Sequence, residues 1–409
     1  MADTSATLLL RTEPIGKLLL RYSLPAIAAM VVFSLYNIID SIFIGHGVGP
    51  LAISGLAITF PVMNLTFALV LLVGIGGASI CSIRLGQQDI DGATRVLGNV
   101  LLLGLINGVT FGLLSQLVLD PVLTAFGASE HTLPYARDFM QIILYGLPVT
   151  CTMFGLNHIM RATGYPQKAM LSAVLTVGMN IILAPIFIFW LKWGIRGAAI
   201  ATVLSQCVGM VWVLSHFRNP KSTVHFRQGT FRLRWKIVSS IFSIGMSPFL
   251  LNVCACLVTV LINIGLKRYG GDMAIGAFGI LNRILILFVM LVMGLTQGMQ
   301  PIVGYNYGAQ QFERVKQTLK YGVITGGLIT TAGFLAGQFA PDVHRRRGPD
   351  RPLRGRYAPR YAGISLGWHP DRRRQLFPVH RQGQTVDFPF SDAPAAVPGS
   401  LPAHSAALF

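Results

Sequence analysis

Long apolar stretches separated by short polar loops set the pattern of this chain. Nine runs are long enough to cross a bilayer, roughly 18–44, 51–82, 96–119, 137–159, 169–191, 195–216, 237–265, 273–303 and 318–340. A stretch of about 20 apolar residues reaches across the hydrocarbon core as a helix, so each run is predicted to be a spanning helix. Pro25, Pro61, Pro148, Pro185, Pro248 and Pro301 fall inside these runs. Membrane helices tolerate such breakers better than soluble ones do, and Pro25 marks a predicted kink. The expected fold class is an all-α polytopic membrane protein.

The first run contains an exception to its own pattern. Asp40 lies deep in it, and no other acidic residue lies deep in an apolar run of the first 340 residues. Phe33, Tyr36, Asn37 and Asp40 are spaced i, i+3, i+4, i+7, which places them on one face of a helix. A carboxylate near the centre of a span costs about 2.5–3.5 kcal/mol on insertion scales, so such groups face a protein interior or a wet cavity. The alternative is a helix end at the membrane interface, because Gly45, His46 and Gly47 follow soon after.

Composition agrees with a membrane protein. The chain is 53% hydrophobic and only 12% charged, against about 25% charged in soluble domains. The net charge of +18 would suggest a nucleic-acid partner in a soluble chain. Here the basic residues sort by loop. Sixteen fall at the N-terminus and in alternate loops, six of them between 217 and 236, and five fall in the other loops. The positive-inside rule accounts for this asymmetry and puts the N-terminus in the cytoplasm, with no nucleic acid involved. The first run is too long for a signal peptide and lacks a small-residue cleavage site, so none is expected. Cys81, Cys151, Cys207, Cys254 and Cys256 lie in or beside apolar runs without metal-ligand spacing. They read as small packing residues. No paired acids, His cluster or nucleophile beside a base stands out, so no enzyme is expected.

The chain repeats itself. Leu51-Ala52-Ile53-Ser54-Gly55-Leu56 resembles Met273-Ala274-Ile275-Gly276-Ala277-Phe278 at an offset of 222. Gly86-Gln87-Gln88 matches Gly308-Ala309-Gln310 at the same offset, and Pro25 matches Pro248 with one residue of slip. Six spans separate the equivalents, so the repeats are parallel. The expected domains are a six-helix lobe over 1–216, an inter-lobe loop over 217–236, a partial second lobe of about three helices over 237–342, and a tail over 343–409. The tail is rich in Arg and Pro, with Arg345-Arg346-Arg347 and Arg372-Arg373-Arg374, and its composition is that of a disordered basic segment.

Several stretches resemble the multidrug and toxic compound extrusion (MATE) family of cation-coupled efflux transporters. Tyr36-Asn37-Ile38-Ile39-Asp40-Ser41-Ile42-Phe43-Ile44-Gly45 is similar to its first-span signature. Arg161-Ala162-Thr163-Gly164-Tyr165-Pro166-Gln167-Lys168 resembles its loop between spans four and five. Gly194 through Thr202, and Gln297 through Ala309, resemble the starts and ends of later spans. The resemblance implies twelve helices in two six-helix lobes around a cavity. It implies a proton or sodium ion as the coupling ion, held by Asp40 with Asn180 and Thr202, and no other cofactor. Tyr36, Asn37 and Asn157 are the expected substrate-cavity residues. Small-molecule drugs or toxic organic cations are the implied substrates of a monomer in the inner or plasma membrane. Where many relatives carry a second aspartate, four residues after the span-five asparagine, this chain has Ala184, which favours protons. A lipid-linked-sugar flippase of the same architecture is the alternative function. His158 reads as an interface residue rather than a proton relay.

The resemblance stops near residue 340, and the tail suggests why. Read one base later from Gly363, synonymous codons exist for an apolar string similar to the family's tenth and eleventh helices. Trp368 followed by His369 forces a glycine where that string requires one. The tail is therefore expected to be a frame-shifted reading, and the chain a truncated transporter of weak or no activity. The basic asymmetry makes a direct prediction. A single cysteine at Arg227 in a cysteine-free background should react with an impermeant thiol reagent only from the inside of cells. Labelling from outside intact cells would reverse the orientation.

Overall fold

The computed structural model describes residues 5–345 except Gln228, and among them it is helical without strands. The described residues up to Pro341 form one compact unit. The tail beyond Arg345, and with it the expected disorder and frame-shift, lies outside the described residues. After a short helix α1 (Ser5–Thr12), the spans are α2 (Ile15–Gly47), α3 (Pro50–Gly86), α4 (Ile90–Leu117), α6 (Leu133–Ala162), α7 (Pro166–Pro185) and α8 (Gly194–Arg218). The seven-residue α5 (Leu119–Ala125) follows α4. Two further helices follow, the 74-residue α9 (Trp235–Gly308) and α10 (Phe312–Arg345). Seven of the nine predicted runs fall within one of these helices; the run 96–119 ends in α5, and the run 169–191 continues past α7 through Ile186–Trp190.

Local sequence sets several of the boundaries. The Asp89 carboxylate accepts from Gly92 N at 2.8 Å and caps α4, satisfying one of the donors a helix start leaves free. Pro50, Pro134 and Pro166 sit in the first turns of α3, α6 and α7, where their missing N–H costs nothing. At the other end of α7, Pro185 precedes a turn of π-helix, Ile186–Trp190. Such wide turns are rare and cluster at functional sites. This one packs Ile188 and Phe189 against Gly47 of α2, and Phe189 meets Phe43 edge to face, 6.4 Å between centroids.

The sequence predicts a break between 265 and 273, whereas α9 is one helical run of 74 residues. No proline lies between Pro248 and Pro301, so no backbone donor is missing there to interrupt the helix. The run is not straight. Gly245 lies against Leu72 and Ile241 against Gly76, antiparallel to α3. Gln300 reaches Ile75 O and Ser79 Oγ, both at 2.8 Å, and Gly304 lies against Ser82, parallel to α3. The chain therefore reverses direction between the two ends of α9, which are the predicted seventh and eighth spans.

The repeat is visible in three dimensions. A Cβ on Gly86 would fall on Tyr305 O, and a Cβ on Gly308 would fall on Ile83 O. Tyr305 is the equivalent of Ile83, and Gly308 of Gly86, at the offset of 222. Gln88 and Gln310, also equivalents, share a left-handed backbone with φ of 62° and 57°. The ends of α3 and α9 thus meet about a local two-fold axis. Among the described residues, hydrogen bonds between the helices up to α8 and the later ones gather towards this end. They join Ser23 Oγ to Leu295 O, Arg161 to Gln297, Gln300 to α3, and Asn306 and Arg314 to Leu10 and Glu13, and the deepest joins Gln297 Nε2 to Met30 Sδ at 3.9 Å, midway along α2. Further along α9, Leu250, Leu251, Leu257 and Val258 are exposed.

The glycine contact predicts a contrast. Gly86→Ala or Gly308→Ala must push two backbones apart, an overpacking cost of about 1–3 kcal/mol, and should lower the thermal unfolding midpoint in detergent. Gly178→Ala meets nothing within 4 Å and should leave the midpoint unchanged or raise it, because Ala favours helix by about 1 kcal/mol. Equal effects at the three positions would refute the contact.

Candidate functional site

Asp40 lies near the second half of α2 and is only 6% exposed. Its Oδ1 has no hydrogen-bond partner, and no ion pair involves it among the described residues. Asp40 does not stand at the helix end: α2 continues two turns further, to Gly47, and the carboxyl is buried in protein. One turn back along α2, Tyr36 Oη lies 3.0 Å from Thr202 Oγ1. Asn180 Nδ2 donates to the same oxygen at 3.2 Å, and the Thr202 hydroxyl donates to Ala198 O at 3.1 Å. Three helices, α2, α7 and α8, therefore converge on one hydroxyl. Tyr36, Asn180 and Thr202 are brought together, with Asp40 one turn away on the same stripe of α2.

A cavity of about 40 Å³ opens beside this junction, lined by Phe33, Tyr36, Phe154, Asn180, Thr202 and Gln206 among others. A water needs about 10–15 Å³ by this measure, so the space suits a few waters or a small ion. Drug-sized ligands need some hundreds of Å³. No lysine or arginine lines it.

Two of the expected substrate-cavity residues stand apart from this small cavity. Asn37 is exposed, and its amide donates to Phe33 O of its own helix at 2.8 Å. Successive helix positions turn by about 100°, so Tyr36 and Asp40 share a narrow stripe and Asn37 stands to its side. Asn157 is buried away from the cavity. Its amide donates to Ala169 O at 2.9 Å and Ser172 Oγ at 2.6 Å, and its carbonyl accepts from Arg161 Nη2 at 2.9 Å. His158, expected at the interface, is buried in α6 against Gly74, because that end of α6 is covered by α3 and α4. Ala184, fully buried, packs with Ile44 and Ala52 in an apolar cluster, so no second carboxylate joins Asp40 from α7.

The structure adds residues that sequence reasoning passed over. Gln206, one turn beyond Thr202, lines the cavity and accepts from the Thr150 hydroxyl. A lone amide in an apolar run was the available signal. Arg161 is 7% exposed, and its Nη1 donates to Gln297 of α9. Its place beside a loop motif disguised it as a cytoplasmic surface charge.

Comparison with known proteins agrees with this architecture. The MatE family model matches residues 25–186 and 248–344. The multidrug export protein MepA of Staphylococcus haemolyticus is 28% identical over 315 residues, 77% of this chain and 69% of the relative. MepA of Staphylococcus aureus is 27% identical over 321 residues, 78% and 70% of the two chains. Among solved structures, the outward-facing conformation of a multidrug resistance MATE family transporter superposes with a TM-score of 0.77 at 28% identity. It covers 85% of this chain and 76% of its own. A MOP superfamily transporter from Pyrococcus furiosus, described as having a binding pocket of reversed polarity, gives 0.78 at 27%, with 85% and 76% covered. The chain, a polytopic membrane protein built on the same helices, belongs to the MatE family of multidrug efflux transporters.

Proposed function

We propose that this chain is a cation-coupled exporter of small amphipathic or cationic drugs in the inner or plasma membrane, with a cytoplasmic N-terminus, and that it works as a monomer. The observation that carries the reading is the buried Asp40 carboxyl, whose Oδ1 has no hydrogen-bond partner and which joins no ion pair among the described residues. An ionised acid in that position holds unfavourable free energy that a bound proton or sodium ion relieves. Binding and release then bias α2 between two packings. Tyr36, Asn180 and Thr202 supply neutral oxygens and an amide beside it, enough to hold a water or a small ion. The alanine at 184 leaves a single carboxylate for a sodium ion, which favours the proton. The cavity next to them is too small for a drug and serves the coupling ion. The drug is taken between the lobes, where α2 presents exposed Leu35, Ile38 and Ile42. A pyrophosphate-bearing lipid would need cations along its path, and the interiors of the apolar runs hold few beyond Arg283, which favours the exporter over the flippase.

Asp40→Asn keeps the shape and removes the charge. In proteoliposomes carrying the full chain, drug-stimulated proton or sodium flux should fall to the level of protein-free vesicles while the folded yield is unchanged. Unaltered flux with unaltered pH dependence would eliminate Asp40 from coupling. Thr202→Ala removes the shared hydroxyl and should weaken coupling-ion affinity about fivefold, the equivalent of one hydrogen bond of about 1 kcal/mol. Half-saturation by the driving ion measures it, and an unchanged value would remove Thr202 from the site.

A further inference from the structure

Arg161 is a buried cation held by neutral groups. Its Nη2 donates to Asn157 Oδ1, one turn back in α6, and its Nη1 to Gln297 Oε1 on α9. Its Nε has no partner. No carboxylate forms an ion pair with it among the described residues. Buried charges are normally paired with an opposite charge or they lose more in leaving water than they regain. Two amide oxygens return part of that loss, because a hydrogen bond from a charged donor is about twice as strong as a neutral one.

The position gives this pairing a consequence. Asn157 and Arg161 belong to the first six helices and Gln297 to the later ones. The contact lies at the end where the two lobes hydrogen-bond, the end that carries the N-terminus. Beyond it, α9 exposes apolar residues. If that end parts, the guanidinium is hydrated and recovers what burial withheld, while Gln297 recovers water as a neutral amide. The closed contact is favourable but shallow, as a two-state element requires. A carboxylate at 297 would make a buried ion pair, whose separation is far more costly.

We propose that the Arg161–Gln297 pair is the clamp that closes the lobes at the N-terminal face, and that it parts when that face opens. Its role in transport rests on the exporter reading above, but the closure it governs is measurable without transport. Arg161 is then a positioning residue, acting on the lobe angle rather than on cargo.

The experiment uses the full chain in a cysteine-free background, with spin labels at Gln167 and Gln317, both exposed and one in each lobe. Pulsed electron resonance gives the distribution of distances between them. Gln297→Glu should lower the ratio of open to closed molecules about tenfold, one strong charge-assisted bond replacing a weaker one. Gln297→Ala should raise the ratio. Arg161→Gln should abolish the closing effect of Gln297→Glu, since the carboxylate then has no cation to meet. Distances unmoved by both changes at 297, or moved in the same direction, overturn the clamp. So does closing by Gln297→Glu that survives Arg161→Gln. The expected shifts in a chain that moves no drug would support the clamp and count against the exporter reading. Drug efflux accompanied by unmoved distances would overturn the clamp alone.

Discussion

The contact between the ends of α3 and α9 sets the geometry on which the rest depends. Within a bilayer, helices gain little from hiding apolar surface from one another, since lipid is equally apolar. Close backbone approach and interhelical hydrogen bonds decide the packing instead. Gly86 and Gly308 permit that approach, and because they are repeat equivalents each serves the other as neighbour. The arrangement resembles an isologous interface within one chain, where a patch contacts its own copy. It fixes one end of the lobes and leaves the other end free to diverge. The buried polar contacts of Gln300, Asn306 and Arg314 then form where the backbones are already held.

The two buried charges belong to different parts of this plan. Asp40 sits beyond the middle of α2, away from the contact between lobes, and joins no ion pair among the described residues. Arg161 sits at the contact and is held by amides from both lobes. Neither neutralises the other, because α2 carries Asp40 towards one face of the molecule while α6 delivers Arg161 to the opposite face. Both are placed where small movements of helices alter their exposure to water. Most of the other charged pairs, such as Arg196 with Asp138 at 2.8 Å, are at the surface and contribute little.

Much of this was legible in the chain. Apolar run length foretold the seven helices that, among the described residues, are long and apolar enough to span, since the requirement to satisfy backbone groups in lipid leaves little choice. The offset of 222 gave the repeat and, through Gly86 and Gly308, the residues on its axis. Asp40 and Tyr36 stood out as polar residues on one face of an apolar run, the family resemblance supplied Asn180 and Thr202, and Tyr36, Asn180 and Thr202 share one hydrogen-bonded junction. Spacing could not separate Asn37 from Tyr36, because a four-residue pattern covers about a third of a helix and only contacts reveal where the boundary of the buried stripe falls. Arg161 was hidden for another reason. Whether a polar residue at a span end meets water or the next lobe depends on residues over 130 positions away, such as Gln297. The join of the seventh and eighth spans also lacked a signal, because charge and glycine at 267–271 suggest a loop as readily as a helix that bends.

The solitary state of Asp40 bears on energetics as well as on geometry. A duplicated fold has two equivalent places for a coupling group, yet the position 222 residues beyond Asp40 is Ile262. If Asp40 alone carries the coupling ion, as proposed, and one ion is exchanged per cargo, the exchange returns one unit of positive charge for each cargo released. If the cargo is neutral, that charge crosses the whole membrane voltage, and 100 mV supplies about 2.3 kcal/mol, a concentration ratio of about fifty. If the cargo is a monovalent cation, the two charges cancel and the voltage contributes nothing, leaving only the ion's concentration difference. A single buried acid thus makes the power source of the cycle depend on the charge of the molecule being carried.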